Sequence, residues 1–491
     1  MSSPSMLNCF PKLGTYNLLL LSALLVMISC DQQPANEQNK KPNILFIFSD
    51  DQHSKTINHL GNGNDQLITP NLDKLAKHGL NFSNSFNMGG WNGAVCVASR
   101  SMMFTGKTIW KAREADSKMR TGNYNSPFLS ELLEAEGYET YMSGKWHIAK
   151  SADSVFNHVK HVRPGMPNQT QEGYNRPRHI NDTTWTSWDQ SKGGFWKGGK
   201  HWSEVLAADA IGFIDKSVLS EQPFFMYLAF NAPHDPRQSP KRFVDKYPLE
   251  EIELPENFMP EYPYKEAMGS GKNLRDEQLA PFPRTAYAIK VHRQEYFASI
   301  SHMDEQIGKI LNALNESGQL DNTYIIFASD HGLAVGEHGL MGKQSMYDHS
   351  IKTPLIISGP NIPQDLTIDP DVYVQDIMPT ILEIAGVKKP DFVDFNSLVP
   401  LINGEQDYSY ASIYGCYTMS QRMIRSGGFK LIAYPKANKL RLFDLKNDPF
   451  EKNDLIENQK YQSIKEKLWK DLLVLQKEMK DTLDLAKYIS G

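Results

Sequence analysis

The sequence predicts an α/β fold with a large, mostly parallel sheet sandwiched by helices, followed by a smaller C-terminal α+β lobe with an antiparallel sheet. Two observations predict it. Apolar runs of strand length alternate with helical segments through most of the chain, and short strand candidates follow one another directly beyond Pro390. A strand that is apolar along its whole length is typical of a parallel sheet with helices on both faces. Direct succession of strands favours antiparallel pairing.

Length and composition agree with a large folded protein. The chain has 491 residues, enough for one large domain and a smaller one. Its hydrophobic content is 40%, with 23 Phe and 21 Tyr, as in globular proteins. The formal net charge of −5 provides no basic footprint, so nucleic acid is not an expected partner.

The N-terminus predicts export. An apolar stretch over residues 18–28 follows Lys12 and is too short to span a bilayer comfortably, as in a signal peptide. It ends at Met27-Ile28-Ser29-Cys30, which resembles the cleavage box of bacterial lipoproteins, with Cys30 as the lipidated first residue. Ordinary signal cleavage is the alternative. We therefore predict a signal peptide over residues 1–29, a linker over 30–41, and a membrane-anchored protein facing the periplasm or the surface of a bacterial cell.

The predicted strands of the large domain, residues 42–390, each run into polar residues. They are residues 43–48 before Ser49-Asp50-Asp51, residues 138–142 before Lys145 and His147, residues 224–230 before His234, and residues 324–328 before Asp330-His331. Because open α/β sheets bind ligands at the carboxyl ends of their strands, we expect these side chains to meet at one edge.

Helices are predicted between these strands. Thr69-Pro70 predicts a helix start, because proline suits the first turn. Residues 127–136 predict a helix that Gly137 ends, and residues 293–314 predict a long amphipathic helix. The smaller lobe, residues 391–491, is predicted to contain strands over 412–417, 422–426, 429–434 and 441–444 and a helix over 460–480.

Two segments, residues 151–204 and 250–292, interrupt the alternation and are predicted to be long loops, which are usually functional or disordered. The first contains four tryptophans, Trp185, Trp188, Trp196 and Trp202. Two interpretations stay open for them. Their rings stack on the faces of a sugar substrate, or they form the packed core of the loop.

The polar strand ends suit a site for an anion and a metal ion. Three carboxylates and an imidazole, from Asp50, Asp51, Asp330 and His331, suit a divalent cation. The carboxylate majority favours Ca²⁺, while the histidine leaves Mg²⁺, Mn²⁺ or Zn²⁺ open. Fixed cations and proton-transfer groups come from Lys145, His147, His234 and Lys343. For each residue alone, a helix cap, a turn or a solvated surface is the alternative.

Cysteine use bears on one further motif. The chain has four cysteines, Cys9, Cys30, Cys96 and Cys416, too few for a disulfide framework in an exported protein. Cys96 begins the run Cys96-Val97-Ala98-Ser99-Arg100, and Thr105-Gly106-Lys107 follows. A structural Cys96–Cys416 bridge is the alternative to a functional Cys96.

The pattern C-x-[PA]-x-R with a T-G-[RK] turn resembles the signature of the type I sulfatases of the alkaline-phosphatase superfamily. The strand ends described above, Gly342-Lys343, and Leu442-Phe443-Asp444-Leu445 follow in the order of that family, so the resemblance runs from Pro42 to the C-terminus. It implies an alkaline-phosphatase-like sheet. Departures exist, since Ala98, Lys107 and His331 stand where proline, arginine and often asparagine are usual.

The resemblance implies a role for each residue. Cys96 would be oxidised to formylglycine by a maturation enzyme, and the hydrated aldehyde would attack the sulfur of a sulfate ester. Arg100 would stabilise that hydrate, and Lys145 and Lys343 would hold sulfate oxygens. His234 would protonate the departing alcohol, and His147 would remove the proton that lets sulfate leave. One Ca²⁺ ion would be bound by Asp50, Asp51, Asp330, His331 and the formylglycine at position 96.

The expected substrate is a sulfated carbohydrate, an oligosaccharide released by polysaccharide degradation. Two other functions stay open. One is a phosphodiesterase or phosphonate monoester hydrolase on the same scaffold, for which the sequence offers no convincing second set of metal ligands. The other is a non-catalytic glycan-binding lipoprotein, which predicts loss of Cys96, Arg100 or a metal ligand, yet all are present.

Overall fold

Helices cover both faces of an eight-stranded sheet in the structure, a computed structural model that describes residues 40–60 and 66–489. The strands are β1 (Asn43–Asp50), β2 (Leu80–Phe82), β3 (Ser85–Phe86), β4 (Gly89–Gly90), β5 (Glu139–Lys145), β6 (His158–Arg163), β7 (Phe224–Pro233), β8 (Thr323–Ser329), β9 (Lys352–Thr353), β10 (Leu355–Ser358), β11 (Leu366–Ile368), β12 (Val372–Tyr373), β13 (Ile413–Tyr417), β14 (Gln421–Ser426), β15 (Phe429–Tyr434) and β16 (Lys439–Asp444). The α-helices are α1 (Pro70–Lys77), α2 (Val95–Thr105), α3 (Ile109–Arg120), α4 (Leu129–Ala135), α5 (Trp202–Ser217), α6 (Lys241–Val244), α7 (Lys265–Met268), α8 (Ala286–Glu316), α9 (Asp348–Ile351), α10 (Ile377–Ile384), α11 (Val399–Ile402) and α12 (Gln462–Glu478).

The predicted signal peptide and the lipid anchor at Cys30 lie outside the described residues and stay predictions. The domain boundary at residue 390 also stays a prediction. Within the part of the chain that is described, no helix has both the length and the apolar character needed to cross a membrane.

The large sheet has the order β11-β2-β10-β8-β1-β7-β5-β6. Its centre is parallel, since β1 pairs in parallel with β7 and β8, and β5 pairs in parallel with β7 and β6. Strand β10 is antiparallel to both of its neighbours. Along β1, Ile44, Phe46 and Phe48 pack into one hydrophobic layer and Leu45 and Ile47 into the opposite one. Burial on both faces explains the uninterrupted apolar run, and the predicted parallel sheet is confirmed.

The helices confirm some predicted bounds and correct others. Helix α1 begins at Pro70 as predicted, and the carboxylate of Asp304 accepts hydrogen bonds from the amides of Asn71 and Leu72 at 3.2 and 2.7 Å. Helix α8 begins at Ala286, so the prediction of a loop up to residue 292 was wrong. The hydroxyl of Thr285 caps its first turn by accepting a hydrogen bond from the amide of Ala288 at 3.1 Å.

The segment 151–204 is largely irregular, as predicted, but it contains a strand and the start of an α-helix that were not predicted. Strand β6 extends the large sheet at one edge, and helix α5 begins at Trp202. None of the six residues of β6 is buried, three of them are exposed, and they include two histidines and two basic side chains. Such a polar edge strand lacks the apolar run from which the other strands were recognised.

The C-terminal lobe forms the predicted antiparallel sheet from β13 to β16, with α12 packed on it. Strand β4 adds to this sheet by pairing in parallel with β13. Gly89 in β4 has a φ of 94°, and a Cβ atom there would lie 2.0 Å from the carbonyl oxygen of Cys416. Only glycine therefore permits the contact that holds the chain before α2 against the C-terminal lobe.

Candidate active site

A cavity of about 470 Å³ opens at the carboxyl ends of β5, β6 and β7, beside the first turn of α2. Four of the residues predicted to be catalytic line it: Cys96, His147, His234 and Lys343. The rest of the wall is Gly93, Ala94, Gly165, Met166, Leu274, Arg275, Asp276 and Gln344. The polar side chains predicted to meet at the carboxyl ends of the strands therefore surround a concave site, as expected for an open α/β sheet.

Position 96 is set up to stabilise negative charge. Cys96 is 2% exposed in the first turn of α2, and the Nζ atom of Lys343 lies 3.7 Å from its Sγ atom. Burial alone would raise the pKa of the thiol, but the ammonium groups of Lys145 and Lys343 hold that pKa well below its usual value. Cys416 lies on β13, and neither cysteine is disulfide-bonded. The Cys96–Cys416 bridge is thus excluded.

Arg100 lies one helical turn after Cys96 and forms hydrogen bonds with groups on or just after three strands, β5, β7 and β8. It is fully buried, and its Nε atom donates to the Oδ2 atom of Asp330 at 3.1 Å. Its Nη1 atom donates to the carbonyl oxygen of Lys145 at 2.8 Å and to the hydroxyl of Tyr227 at 2.9 Å. Its Nη2 atom has no hydrogen-bond partner and is 3.7 Å from the carboxylate of Asp50.

A group of ligand atoms suited to a metal ion lies next to Cys96. Atoms of Asp50, Asp51, Cys96 and His331 all lie within 4.8 Å of one another and are buried. Among the described residues, the Oδ1 atom of Asp50 and the Nε2 atom of His331 have no hydrogen-bond partner, although both are buried. Two carboxylates and an imidazole, with one unsatisfied atom on Asp50 and one on His331, fit a divalent cation. The residues present therefore fit the metal that the sequence predicts.

Asp330 differs from the other predicted ligands. Its Oδ1 atom accepts hydrogen bonds from the amides of Asp51 and His331 at 3.2 and 3.0 Å, and its Oδ2 atom accepts one from Arg100. Both carboxylate oxygens are therefore engaged by the segments that follow β1 and β8 and by Arg100. Asp330 does not belong to the group of ligand atoms that lie within 4.8 Å of one another. Its predicted role as a metal ligand stays a prediction.

The two lysines bind the two consecutive carboxylates. Lys145 forms an ion pair with Asp50, and the Nζ atom of Lys343 lies 2.8 and 2.9 Å from the two carboxylate oxygens of Asp51. Asp51 itself has a φ of 65°, a left-handed conformation that is uncommon for residues other than glycine. The four side chains form two buried ion pairs, and of these four residues Lys343 lines the cavity.

The histidines have distinct surroundings. The Nδ1 atom of His234 lies 2.8 Å from the carbonyl oxygen of Asp235, and its Nε2 atom lies 3.7 Å from Asp51. Burial lowers the pKa of His234, but Asp51 and Asp235 outweigh that effect and raise the pKa to about 10. Burial likewise lowers the pKa of His331, and Asp330 and Asp51 raise it to about 9.

His147 packs against the cavity wall. A Cβ atom at Gly165 would lie 2.2 Å from the Cε1 atom of His147, so the ring requires glycine there. Its Nδ1 atom is buried and has no hydrogen-bond partner. The ring is therefore held by packing while one nitrogen is left available.

Four polar residues of this region were not found from the sequence: Asp235, Arg275, Asp276 and Gln344. The guanidinium of Arg275 lies between two carboxylates, with its Nη2 atom 3.2 Å from Asp235 and 2.5 Å from Asp276. Gln344 donates from Nε2 to the other oxygen of Asp276 at 2.8 Å. The adjacency of Asp235 to His234 was the available signal. Arg275 lies in the charge-rich segment 250–292, where no local pattern marks it.

The four tryptophans do not line this cavity in the described part of the chain. Trp185, Trp196 and Trp202 are 4–6% exposed, while Trp188 is 37% exposed. Arg176 and Arg163 cover the rings of Trp185 and Trp202, at 3.8 and 4.5 Å from the ring centroids. The structure thus favours the packed loop core over substrate stacking for the three buried rings.

Comparison with known proteins identifies related chains. The family model described as "Sulfatase" matches residues 42–387, and the model "N-sulphoglucosamine sulphohydrolase, C-terminal" matches residues 336–478. An N-acetylglucosamine-6-O-sulfatase of Bacteroides thetaiotaomicron is 27% identical and covers 96% of this chain and 92% of its own length. An arylsulfatase of Clostridium perfringens is 29% identical, over 86% of this chain and 91% of its own.

Solved structures share the fold. A protein solved in complex with its substrate D-glucosamine-2-N,6-O-disulfate has a TM-score of 0.68 and 23% identity, over 90% of this chain and 99% of its own. A phosphonate monoester hydrolase of Agrobacterium radiobacter has a TM-score of 0.71 and 19% identity, over 89% and 96%. Because enzymes of two reaction classes superimpose equally well, the fold alone does not decide which ester is hydrolysed.

Proposed function

This chain belongs to the sulfatase family and is a sulfuric ester hydrolase, and we propose that it removes sulfate from a carbohydrate, an oligosaccharide of polysaccharide origin. The sulfatase family model covers 346 of the 491 residues, from 42 to 387. Cys96 begins the box that carries the family's formylglycine. The observation that supports the reaction best is local: Lys145 and Lys343 hold negative charge at position 96, beside the buried carboxylates of Asp50 and Asp51.

Formylglycine at position 96 supplies a hydrated aldehyde as the nucleophile. We assign Lys145 and Lys343 to binding of the nonbridging sulfate oxygens, because fixed cations in a buried pocket stabilise the charge that develops during the reaction. The Nζ atom of Lys343 is already 3.7 Å from Sγ of Cys96, within reach of an ester bound beside residue 96. Arg100, with its unpartnered Nη2 atom, is assigned to orienting residue 96.

We assign the two cavity histidines to opposite proton transfers. Asp235 and Asp51 favour the protonated form of His234, so His234 donates the proton to the departing alcohol oxygen. His147 lines the same cavity as Cys96 and interacts with its side chain, so His147 accepts a proton from residue 96. The two imidazoles thus serve as acid and base on one substrate.

The metal is assigned as one Ca²⁺ ion, bound by Asp50, Asp51, His331 and the side chain at position 96. A divalent cation there would offset the charge of the sulfate group. The predominance of oxygen ligands supports calcium over zinc. Asp330 supports this site by accepting hydrogen bonds from the amides of Asp51 and His331.

The alternative substrates, a phosphodiester or a phosphonate monoester, carry one negative charge, as a sulfate ester does. A second group of ligand atoms, from Asp51, His234 and Asp235, also lies within 4.8 Å. Asp235, however, already forms an ion pair with Arg275, which leaves it poorly suited to a second metal ion. A site with one metal position disfavours a dianionic phosphate monoester, whereas the singly charged phosphodiester and phosphonate monoester are distinguished from a sulfate ester by the substrate panel below.

The carbohydrate proposal is supported by the outer wall of the cavity. Arg275, Asp276 and Gln344 present polar groups there, while Met166 and Leu274 present apolar surface. Sugars match such a combination, because their hydroxyls need polar partners and their ring faces are apolar. Sulfated sugars are also named for the relative from Bacteroides thetaiotaomicron.

A panel of substrates tests the reaction and the substrate class. The enzyme, produced together with a formylglycine-generating maturation enzyme, is assayed with sulfated mono- and oligosaccharides, p-nitrophenyl sulfate and an aryl phosphonate monoester. We expect hydrolysis of the sulfate esters, with the highest kcat/KM on a saccharide. Preferential hydrolysis of the phosphonate ester would contradict the proposed reaction, and no preference for any saccharide would contradict the proposed substrate.

Replacing Arg275 with alanine tests the carbohydrate contacts. We expect kcat/KM for a sulfated monosaccharide to fall about tenfold or more, because a charged hydrogen-bonding group is lost. We expect kcat/KM for p-nitrophenyl sulfate to change less than about threefold, because that substrate has no hydroxyls to bind. Arg242→Ala is the control, since Arg242 is exposed and pairs with Glu305, at 2.7 and 2.8 Å, away from the cavity. Equal losses with both substrates would show that Arg275 acts through Asp235 and His234 instead.

We also propose that the protein is an exported lipoprotein anchored through Cys30. The apolar stretch over residues 18–28 and the box that ends at Cys30 support this. In cells that produce the full chain, we expect the protein in the membrane fraction, and we expect Cys30→Ala to release it. Cys416→Ala, which leaves the N-terminus intact, is the control. Retention of the Cys30→Ala protein in membranes would contradict the anchor.

A further inference from the structure

A second cavity, of about 570 Å³, lies apart from the catalytic one. Its walls come from the segment after β1, from α8, from the segments that follow β8, and from the C-terminal lobe. It shares no lining residue with the catalytic cavity among the described residues. The hydroxyl of Tyr296 lies in the wall between the two regions, where it donates to the carbonyl oxygen of Asp51 and accepts from the amide of His53.

Most charged groups of this second cavity are already paired. Glu337 pairs with Arg293 at 3.2 Å, Asp348 and Glu451 pair with Lys430, and Arg425 pairs with Asp371 at 3.1 Å. Glu256 pairs with Lys452 at 3.6 Å. Glu253 and Lys446, of opposite charge, are exposed to solvent.

Two lysines are the exception. The ammonium groups of Lys55 and Lys352 form no ion pair or hydrogen bond with the residues that the structure describes. The Nζ atom of Lys55 lies 3.7 Å from the centroid of the Phe450 ring. Both side chains are only partly exposed. Burial lowers the pKa of each, the carboxylate of Asp348 raises both, and Lys55 also lowers that of Lys352. Two like charges that lie near carboxylates but form no ion pair with them cost folding free energy, and an anion between them would offset that cost.

His349 provides a third unsatisfied donor. The hydroxyl of Ser345 donates to Ser350 Oγ at 2.8 Å, and Ser350 Oγ lies 2.8 Å from His349 Nδ1. We assign the proton of the neutral ring to Nε2, so that Nδ1 accepts the remaining hydroxyl proton of Ser350. His349 lines the cavity, its side chain is 4% exposed, and its Nε2 atom has no hydrogen-bond partner among the described residues.

We propose that Lys55, Lys352 and His349 form a binding site for an oxyanion, a sulfate or a carboxylate group, separate from the catalytic cavity. The volume matches that of small-molecule sites and exceeds what a bare ion fills. The buried Oδ1 atom of Asn257 also has no partner and offers an acceptor to a hydroxyl group. We therefore expect the anionic group to be part of a saccharide. This choice of ligand rests on the proposed function, whereas the oxyanion site itself does not.

Selenate, an analogue of sulfate that is located by anomalous scattering, tests the site in crystals of the full chain. We expect one selenate within hydrogen-bond distance of Lys55 and Lys352. In the double variant Lys55→Met and Lys352→Met we expect that selenate to be absent, while any selenate in the catalytic cavity stays. No selenate at the lysines, or selenate that persists in the double variant, would overturn the proposal.

Calorimetry shows whether the site binds a free anion or an anionic saccharide, and whether the two lysines take part in that binding. Inorganic sulfate and a sulfated disaccharide are titrated into the Cys96→Ala protein, with and without the two methionine substitutions. We expect the disaccharide to lose one of two binding events, or to bind there about tenfold more weakly, when both lysines are replaced. Equal binding of inorganic sulfate would assign the site to the free ion and support the oxyanion site itself.

Thermal unfolding completes the test. Because two partly buried charges without an ion pair are removed, we expect the double variant to keep or raise its Tm relative to the parent and to Lys467→Met, an exposed control. A lower Tm with unchanged binding would show that the lysines serve the fold alone and would overturn the proposal. Hydrolysis of p-nitrophenyl sulfate by the double variant with Cys96 intact reports on the catalytic site separately.

Discussion

Replacing Cys96 with alanine is expected to lower kcat for every sulfate ester by a factor on the order of 10⁴ or more. The methyl group of alanine cannot be oxidised to formylglycine, so the nucleophile is lost while the cations around it remain. Lys145 and Lys343 still bind the sulfate group in the variant, so we expect binding of a sulfated sugar to be retained. The measurements are kcat with p-nitrophenyl sulfate and the dissociation constant for the sugar.

The matched control is Cys416→Ala. Cys416 is also a buried, unpaired cysteine, but it lies in the C-terminal sheet, where burial raises the pKa of its thiol to about 12. We expect this variant to keep its activity. Mass analysis of the tryptic peptide that contains residue 96 then reports whether oxidation accompanies activity. Full activity in Cys96→Ala, or an unmodified thiol in fully active enzyme, would contradict the mechanism.

The sheet and the centre of the site were predictable for a shared reason. A strand buried on both faces must be apolar throughout, so β1 and β7 are visible as uninterrupted runs, and each run ends where the chain reaches the sheet edge. The residues that follow, such as Asp51 and His234, are therefore brought together by the parallel arrangement alone. No knowledge of contacts between distant segments is needed to predict that these residues lie close together.

Other parts of the site depend on contacts between distant segments. Arg275 reaches the cavity because Asp235 and Asp276 bind its guanidinium, and no periodicity in the segment 250–292 announces that contact. The role of Asp330 is similar, since hydrogen bonds from Asp51, His331 and Arg100 engage both of its oxygens. Sequence shows that a carboxylate is present, but not which groups its oxygens bind.

The tryptophans illustrate a different limit. A tryptophan-rich sequence looks the same whether its indole rings stack on a sugar or fill the interior of a loop. In the structure, Arg176 covers Trp185 and Arg163 covers Trp202. The choice between the two depends on burial, which follows from the packing of the whole segment. In the same way, the start of α8 at Ala286 depends on Thr285 as a cap and on the burial of Ile289.

Replacing Asp51 with asparagine is expected to remove the bound metal ion and to lower kcat by a factor on the order of 10³ or more. Asparagine keeps the size of the side chain but not its charge. Asp51 belongs to the group of ligand atoms around Cys96, and both of its carboxylate oxygens bind Lys343, at 2.8 and 2.9 Å. One substitution therefore removes a metal ligand and the counter-ion that positions a sulfate-binding lysine.

Metal content, measured by mass spectrometry after dialysis, separates this loss from a general loss of structure. Asp209→Asn is the matched control, because Asp209 is a buried carboxylate that binds Ser143 and His161, both at 2.7 Å, outside the site. We expect the control to retain both metal and activity. In the unaltered enzyme, a chelator should abolish activity and Ca²⁺ should restore it. Recovery with Zn²⁺ but not Ca²⁺ would contradict the assignment of calcium, and an Asp51→Asn protein that keeps its metal would contradict the ligand set.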